Sequence, residues 1–328
     1  MKGFACGVLA ALAGLVAPAL VEAQNPPKVY RIGFIGTSST SAGPPAAHME
    51  PLRQELAQRG WIDGQNVFLD FRFHEGHLER AAAFADDFVR SHTDIILTVT
   101  DQVTAIVASA TRTIPIVMVT SADPIGRGFA RSLARPGGNL TGVVNFVGAE
   151  MFAKYVQLLK EARPQARRLA IFWDHDQGMD HLPEMQRAAK ALGMDSRLLS
   201  IRTRTDLDAA LTTLAAERPD AVFVLGASVN WVERARIVEW THRHRLVSMS
   251  DLGAFARAGL LLGYGPDRAA QLQRVAQLVD QILKGANPGD LPIAQPTKFE
   301  LVINLKTAKA LGLTIPPSLL LRADQIIE

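Results

Sequence analysis

The chain has 328 residues, of which 48% are apolar and 20% are charged, a balance typical of a folded protein with a large buried core. The formal net charge is +3, with positive and negative residues interspersed and no long cationic run, which argues against nucleic acid as a partner. Cys6 is the only cysteine, so no intramolecular disulfide can form and stability must come from the core.

The N-terminal residues have the pattern of a secretory signal peptide. Lys2 precedes an apolar run over residues 4–20, and residues 21–23 supply the small side chains that a signal peptidase reads. An uncleaved membrane anchor is the alternative, but the run is shorter than the ~20 apolar residues that a span requires. It also contains Pro18. We therefore expect residues 1–23 to be removed and the remainder to fold as a soluble protein in the periplasm.

From residue 29 onward, β-branched or aromatic runs alternate with segments of helical period. The first series predicts strands over 29–35, 67–73, 94–99, 116–120 and 140–146, with helices over 47–60, 78–91, 102–111 and 126–134. The second series predicts helices over 150–162, 180–192, 206–217 and 231–244, with strands over 168–173, 196–201, 221–225 and 246–249. A helix over 267–285 and a last strand over 299–304 follow.

This alternation predicts an α/β fold whose parallel sheets are covered by helices on both faces. A Pro-Gly stretch at 135–139 interrupts the rhythm, which favours two open sheets over one closed barrel. Because strand pattern resumes after residue 266, we expect the tail to return to the first domain. The prediction is two lobes, residues 28–146 with 266–328 and residues 147–265, joined by two or three crossing segments that form a cleft between their strand C-termini.

Several stretches carry a family resemblance. They are ELAQRGWIDGQNV at 55–67, DPIG at 123–126, SLARPGGNLTG at 132–142, QPTKFELVINLKTAKALGL at 295–313 and IPPSLL at 315–320. The chain resembles the extracytoplasmic substrate-binding proteins of ABC importers, in the family whose better-known members bind tryptophan or related amino acids. The resemblance spans essentially the whole chain after the leader. It implies the type I periplasmic-binding-protein fold, with two Rossmann-like lobes and a hinged cleft between them, and an ABC permease in the inner membrane as partner.

Candidate ligand residues of the first lobe follow its strands, because open α/β sheets bind ligands beyond the carboxyl ends of their strands. They are Thr37, Ser38, Ser39, Thr100, Gln102 and Ser121. Hydroxyl and amide groups beside helix N-termini bind carboxylates and other polar groups. The alternative for the loop over 37–41 is a polar loop or a helix cap. Asp101 and Asp123 are interpreted as helix caps, which leaves Ser121 as the freer donor.

The candidates of the second lobe are Trp173, Asp174, Ser228, Asn230, Asp251 and Tyr264. Trp173 is expected to form an aromatic wall, and Asp174 and Asp251 to accept from a ligand ammonium. Each has an alternative role: Trp173 in the core, Asn230 and Asp251 as caps, and Tyr264 packed at the hinge.

Neither a metal site nor a catalytic motif is predicted. Acidic and histidine residues cluster over 174–181, but their spacing fits no compact structural zinc motif. There is no Gly-x-Ser-x-Gly elbow, no His-Glu-x-x-His helix and no Gly-x-Gly-x-x-Gly after the first strand. We therefore expect a binding protein without a cofactor, not an enzyme.

The expected function is capture of a small polar solute and its delivery to an ABC importer by a monomeric protein. Hydroxyl groups on one lobe and acidic groups on the other suit a zwitterion such as an amino acid. Two alternatives stay open: a binding protein that feeds a membrane sensor, and an exported hydrolase or isomerase. The sequence does not name the solute.

Overall fold

The computed structural model describes residues 28–37, 49–145, 148, 150–173, 182–226 and 228–328, with the backbone alone for residue 228. The predicted signal peptide lies outside these ranges, as do the candidate ligand residues Ser38, Ser39 and Asp174 and the side chain of Ser228. Within these ranges, no helix has the length and apolar character that a membrane span requires.

Five parallel strands form the first sheet, in the order β2-β1-β3-β4-β5. The strands are β1 (Tyr30–Gly36), β2 (Val67–Phe73), β3 (Ile95–Val99), β4 (Ile116–Thr120) and β5 (Leu140–Gly142). The connecting helices are α1 (Glu50–Gln58), α2 (Leu78–Arg90) and α3 (Asp101–Ala110). Both faces of the sheet are buried: Phe34 and Leu52 lie in one core, and Ile35 and Phe88 lie in the other. Near-continuous apolar strands are what such a doubly covered sheet requires.

The second sheet has seven strands, in the order β12-β11-β10-β9-β8-β6-β7. The first five in the chain are β6 (Arg168–Trp173), β7 (Asp195–Ser200), β8 (Ala221–Val224), β9 (Val247–Ser250) and β10 (Leu262–Pro266). The helices beside them are α4 (Glu150–Ala162), α5 (Leu182–Ala191), α6 (Arg204–Glu217), α7 (Ser228–Val232), α8 (Arg234–Arg243) and α9 (Gly253–Ala258). Tyr155 and Phe223 lie in the core on one face, and Phe172 and Phe255 lie in the core on the other.

The chain then visits the first lobe once more before it ends in the second. Helix α10 (Arg268–Leu283) packs on α1 and β4 and adds Leu272 and Val275 to the first core. A parallel bridge pairs Ala294 with Val143. Strand β11 (Phe299–Asn304) then pairs antiparallel with β10, and α11 (Leu305–Leu311), α12 (Pro317–Leu320) and β12 (Gln325–Ile327) follow.

The predicted lobe boundaries therefore need a correction. The sequence assigns residues 266–328 to the first lobe, but β11 and β12 belong to the second sheet. The reason lies in residues 263–266, which read as punctuation and yet form most of β10. At Gly265 a Cβ would overlap the carbonyl oxygen of Asp251, so glycine there permits close packing within the sheet and does not mark a turn.

Three other elements differ from the sequence prediction. Residues 126–134 form turns, not a helix, and the Asp123 carboxylate accepts from the Gly126 N–H at 2.8 Å within that turn. The helix predicted over 231–244 is divided into α7 and α8. Strand β5 ends at Gly142, whose φ of +148° is a conformation that side-chain-bearing residues rarely adopt.

Three chain segments join the lobes, and all three leave the carboxyl edge of the first sheet. One follows β5, one precedes α10, and one follows Ala294, which runs parallel to β5. In the second sheet, the latter two meet the end of β10 and the start of its antiparallel neighbour β11. The carboxyl edges of the two sheets therefore face each other across these connections, which is where ligands bind in open α/β sheets.

We expect Gly265→Ala to lower the free energy of unfolding by about 3 kcal/mol, because the new methyl group would force β10 away from Asp251. Urea denaturation measures the change. Gly312→Ala is the control: Gly312 has φ +70° but open space around its Cβ position. The Gly312→Ala substitution should lower the free energy of unfolding by about 1 kcal/mol, the cost of placing alanine in a left-handed backbone conformation. Equal costs at the two positions would contradict the steric argument.

Candidate functional site

At the carboxyl edge of the first sheet, three neighbouring strands bring predicted ligand residues together. Thr37 follows β1, Thr100 follows β3 and Ser121 follows β4. In the observed strand order, β2 lies on one side of β1, whereas β3, β4 and β5 lie on the other. The connections therefore leave β1 and β3 in opposite directions along the sheet. Such a switch point leaves a crevice between the loops, so it is the favoured ligand position in this sheet.

The Asp101 carboxylate connects two of these loops. It accepts from the Ser121 hydroxyl at 2.5 Å and from the backbone N–H groups of Ala122 and Asp123 at 3.2–3.3 Å. Asp101 is 3% exposed, and burial raises its pKa, although these hydrogen bonds oppose the rise. The prediction that Asp101 caps helix α3 is wrong, since Thr100 occupies the N-cap position. Ser121 is also not the freer donor that the sequence predicts, because its hydroxyl already donates to the Asp101 carboxylate.

Thr100 holds a strained backbone conformation beside this junction. Its φ of 73° and ψ of 152° lie in a region that is almost restricted to glycine and costs about 1–3 kcal/mol for other residues. Its carbonyl accepts from the Thr104 hydroxyl at 2.9 Å, and that hydroxyl also lies 2.8 Å from the Thr98 hydroxyl. Local strain held by a buried network is a common property of binding loops.

Two polar side chains of this edge keep unused hydrogen-bonding capacity. Thr37 is 9% exposed and Gln102 is partly buried, and neither side chain has a hydrogen-bond partner among the described residues. A hydroxyl and an amide together offer both donors and acceptors. The edge can therefore bind a polar group of either kind.

The carboxyl edge of the second sheet repeats the arrangement with Asp251. Its Oδ1 accepts from the Gly226 N–H at 2.7 Å and from the Ser250 hydroxyl at 3.1 Å, so it connects the loops after β8 and β9. Asp251 is 5% exposed, and burial raises its pKa to about 6. The hydroxyl of Tyr155 is buried without a partner among the described residues, and burial, with help from the charge of Asp251, raises its pKa well above its usual value.

The other candidates of the second lobe take different positions. Trp173 is partly buried against the core at the end of β6. Asn230 lies inside α7 and does not cap it; its Nδ2 donates to the Leu225 carbonyl at 2.9 Å, and its Oδ1 is buried without a partner in the described chain. Tyr264 stacks on Phe299 and meets Tyr155 edge-on. The structure thus brings these residues to neighbouring strands, and ligand contact by each stays a prediction.

Sequence reasoning missed two residues at these edges. His74 follows β2, is fully buried and has no hydrogen-bond partner for either ring nitrogen in the part of the chain described. Arg268 begins α10 and likewise has no partner there. For His74 the sequence contains no signal. For Arg268 the sequence does contain a signal. Cations are disfavoured in the first turn of a helix, because the helix dipole is positive there, and Arg268 departs from that preference.

No metal site is indicated within the described ranges. They contain no cluster of three or more histidine, cysteine, aspartate or glutamate side chains arranged to hold a metal ion. The cluster of acidic and histidine residues over 174–181, for which the sequence does not predict a metal site, lies outside those ranges.

Two sheets of this topology, joined by three crossing segments, define a type I periplasmic binding protein. The family described as "ABC transporter substrate binding protein" matches residues 46–327, and the chain belongs to that family. Its members are extracytoplasmic proteins that bind substrates, so the predicted fold and substrate-binding role are confirmed.

Named relatives share this fold along most of their length. The chain is 22% identical over 260 residues to a tyrosine-binding protein of Clostridioides difficile, covering 79% of this chain and 74% of that protein. An ABC domain from Streptococcus pneumonia in complex with L-Trp superposes with a TM-score of 0.82 at 25% identity, covering 92% of this chain and all of that one. A conserved domain protein from Vibrio cholerae matches with the same TM-score at 23% identity, covering 91% and 100%.

Asp251→Asn should flatten one part of the pH dependence of stability. The folded pKa of about 6 lies above the ordinary 3.8, so the folded state retains a proton that the unfolded state loses. Wild type therefore loses stability relative to the variant as pH rises from about 4 to 6, by roughly 3 kcal/mol. Urea denaturation of both proteins across this range measures the difference. Parallel pH profiles would contradict a raised pKa.

His74→Phe should act in the opposite direction. Burial, with help from Arg80 and His77, lowers the pKa of His74 in the folded state from 6.5 to about 4. The folded protein therefore keeps His74 neutral at pH values where the unfolded chain protonates it. As pH falls from 6.5 to 4 the unfolded state binds a proton first, and wild type should lose up to roughly 3 kcal/mol relative to the variant. Melting curves between pH 4 and 7 test this. Melting curves of the two proteins that move together with pH would contradict a lowered His74 pKa.

Proposed function

We propose that this protein captures a small polar solute, of amino-acid character, between its two lobes in the periplasm and delivers it to an ABC permease of the inner membrane. The observation that carries the proposal is the pair of facing carboxyl edges, each with a buried aspartate that fixes its loops. Signal-peptide cleavage, a monomeric state and the absence of enzymatic turnover belong to the same proposal.

Two lines of support favour an amino acid. The relatives named above include one called a tyrosine-binding protein and one in complex with L-Trp. The first lobe also offers Thr37 and Gln102, whose side chains have no hydrogen-bond partner among the described residues. The second offers Asp251, whose two bonds from other described residues both end on Oδ1. We propose that Oδ2 of Asp251 accepts from a ligand ammonium and that Trp173 contacts an aromatic side chain.

The ligand would act by shifting the equilibrium between open and closed lobes. Only a solute that touches both edges gains extra contacts when the lobes close. The free energy by which it favours the closed form equals the difference between its binding free energies for the closed and open forms. The three crossing segments supply the hinge. The permease would then recognise the closed arrangement.

Thermal melting of the chain from Gln24 onward, across amino acids, peptides, sugars, carboxylates and amines, tests the proposal. A ligand at roughly 100 times its Kd stabilises the folded state by about 2.7 kcal/mol and raises the melting temperature. We expect L-tyrosine or L-tryptophan to do so. A response to sugars alone would contradict the proposed ligand class, and no response to any compound would contradict solute capture.

Gln102→Ala should weaken binding of the responding amino acid by roughly 3- to 10-fold, through the loss of one hydrogen bond. Isothermal titration calorimetry gives the two Kd values. Gln54→Ala is the matched control, since Gln54 is exposed on α1, away from the carboxyl edge. Equal effects of the two substitutions would remove Gln102 from the site.

A further inference from the structure

Arg268 differs from the paired arginines of this chain. Arg72 forms ion pairs with Asp70 and Asp87 at 2.7 Å, and Arg257 pairs with Glu300 at 2.6 Å. Arg268 is partly buried, yet it has no hydrogen bond, ion pair or ring contact with any described residue. A partly buried guanidinium whose five N–H donors meet no acceptor in the described chain is suited to bind an anionic ligand.

The position of Arg268 follows from its neighbours on α10. One turn further along, Gln271 is 6% exposed and its Nε2 donates to the Asn145 side chain at 3.0 Å. The N–H of Asn145 in turn donates to the Ser121 carbonyl at 2.8 Å. The start of α10 therefore lies at the carboxyl ends of β4 and β5, beside the loop that Asp101 fixes.

The direction of the side chain follows from helix geometry. Arg268 shares a face with Gln271 and Leu272, which both turn toward the first lobe. Helix side chains tilt toward the N-terminus, so a residue covers the surface ahead of its own Cα. Ahead of Arg268 lies the crossing from β10, and its guanidinium is thus carried past the sheet edge toward the space between the lobes.

No charge described near Arg268 stabilises its guanidinium. The N-terminus of a helix carries partial positive charge, which disfavours a cation there. The adjacent carboxylate of Asp267 is already engaged, because it caps the Ala270 N–H at 3.0 Å and pairs with Lys298 at 2.5 Å. Burial lowers the Arg268 pKa to about 10, so the side chain stays charged at neutral pH. A bound anion would offset both the repulsion by the helix N-terminus and the cost of burying the charge.

We propose that Arg268 binds the carboxylate of the ligand in the inter-lobe cleft and makes the protein selective for carboxylate-bearing solutes. This inference rests on the proposed function and names its ligand class more narrowly. Planar guanidinium and planar carboxylate form two parallel hydrogen bonds, a geometry that lysine cannot reproduce. Because Arg268 stands where the chain crosses between lobes, the same ion pair couples ligand capture to closure.

The first test compares ligands that differ in one charged group. L-Tryptophan carries both groups, indole-3-propionate lacks the ammonium and tryptamine lacks the carboxylate; L-tyrosine and tyramine form a second series. Calorimetry should show that wild type binds the carboxylates and that Arg268→Met weakens them at least roughly thirtyfold. Arg268→Lys should restore only part of the affinity, and any binding of the amines should not change. Carboxylate binding within twofold of wild type in Arg268→Met would overturn the proposal.

Arg274→Met is the matched control. Arg274 is also partly buried on α10, but unlike Arg268 it already has a partner, because it donates to Gln277 at 3.2 Å. It should leave carboxylate affinity unchanged. Without ligand, Arg268→Met should melt at or above the wild-type temperature, since it removes a charge that the helix dipole disfavours. A lower melting temperature would indicate a structural role and count against the proposal.

A second measurement separates failure of this inference from failure of the proposed function. If no amino acid or indole compound binds wild type, the amino-acid proposal fails, and sodium acetate then serves as the probe of Arg268. The arginine Nε–H signal that disappears in Arg268→Lys should shift as acetate is added to ¹⁵N-labelled wild type. A signal that stays in place while other arginine signals move would overturn the assignment of Arg268 to carboxylates.

Discussion

Two buried carboxylates hold the functional edge of this molecule together. Asp101 and Asp251 each follow one strand and accept hydrogen bonds from the loop after the neighbouring strand. A buried charge without partners is costly, so each carboxylate is stable only while both loops keep their positions. The residues that donate to these carboxylates are thereby held at the cleft before any ligand arrives, and ligand binding does not have to order them.

Strand and helix periodicity made most of the fold predictable. Strands such as Val67–Phe73 and Ile116–Thr120, and helix Glu150–Ala162, match their predicted bounds because side-chain patterning alone determines them. Strand β10 was missed because its glycines serve close packing with residues far along the chain, and single-sequence pattern cannot distinguish that use from a turn. Once β10 is missed, the place of β11 beside it is missed as well.

The candidate site was predictable in its location and less so in its chemistry. The rule that ligands bind at strand carboxyl ends placed Thr37, Thr100 and Asp251 at the correct edges. Which polar group already has a hydrogen-bond partner depends on neighbours distant in sequence. The Ser121 hydroxyl, for example, donates to a carboxylate 20 residues away. Arg268 escaped notice for the converse reason, since what distinguishes it is the absence of partners in the described structure.

The order in which the chain builds its lobes has a consequence for folding. The first core depends on Leu272, Val275 and Val279 from α10, and the second sheet depends on β11 and β12. A nascent polypeptide emerges from its N-terminus, so neither lobe has all its parts until nearly the last residues are synthesised. Contacts of such long sequence separation form slowly. Neither lobe can therefore complete its core until most of the chain has been made, and a shorter nascent chain leaves apolar surface of both lobes uncovered.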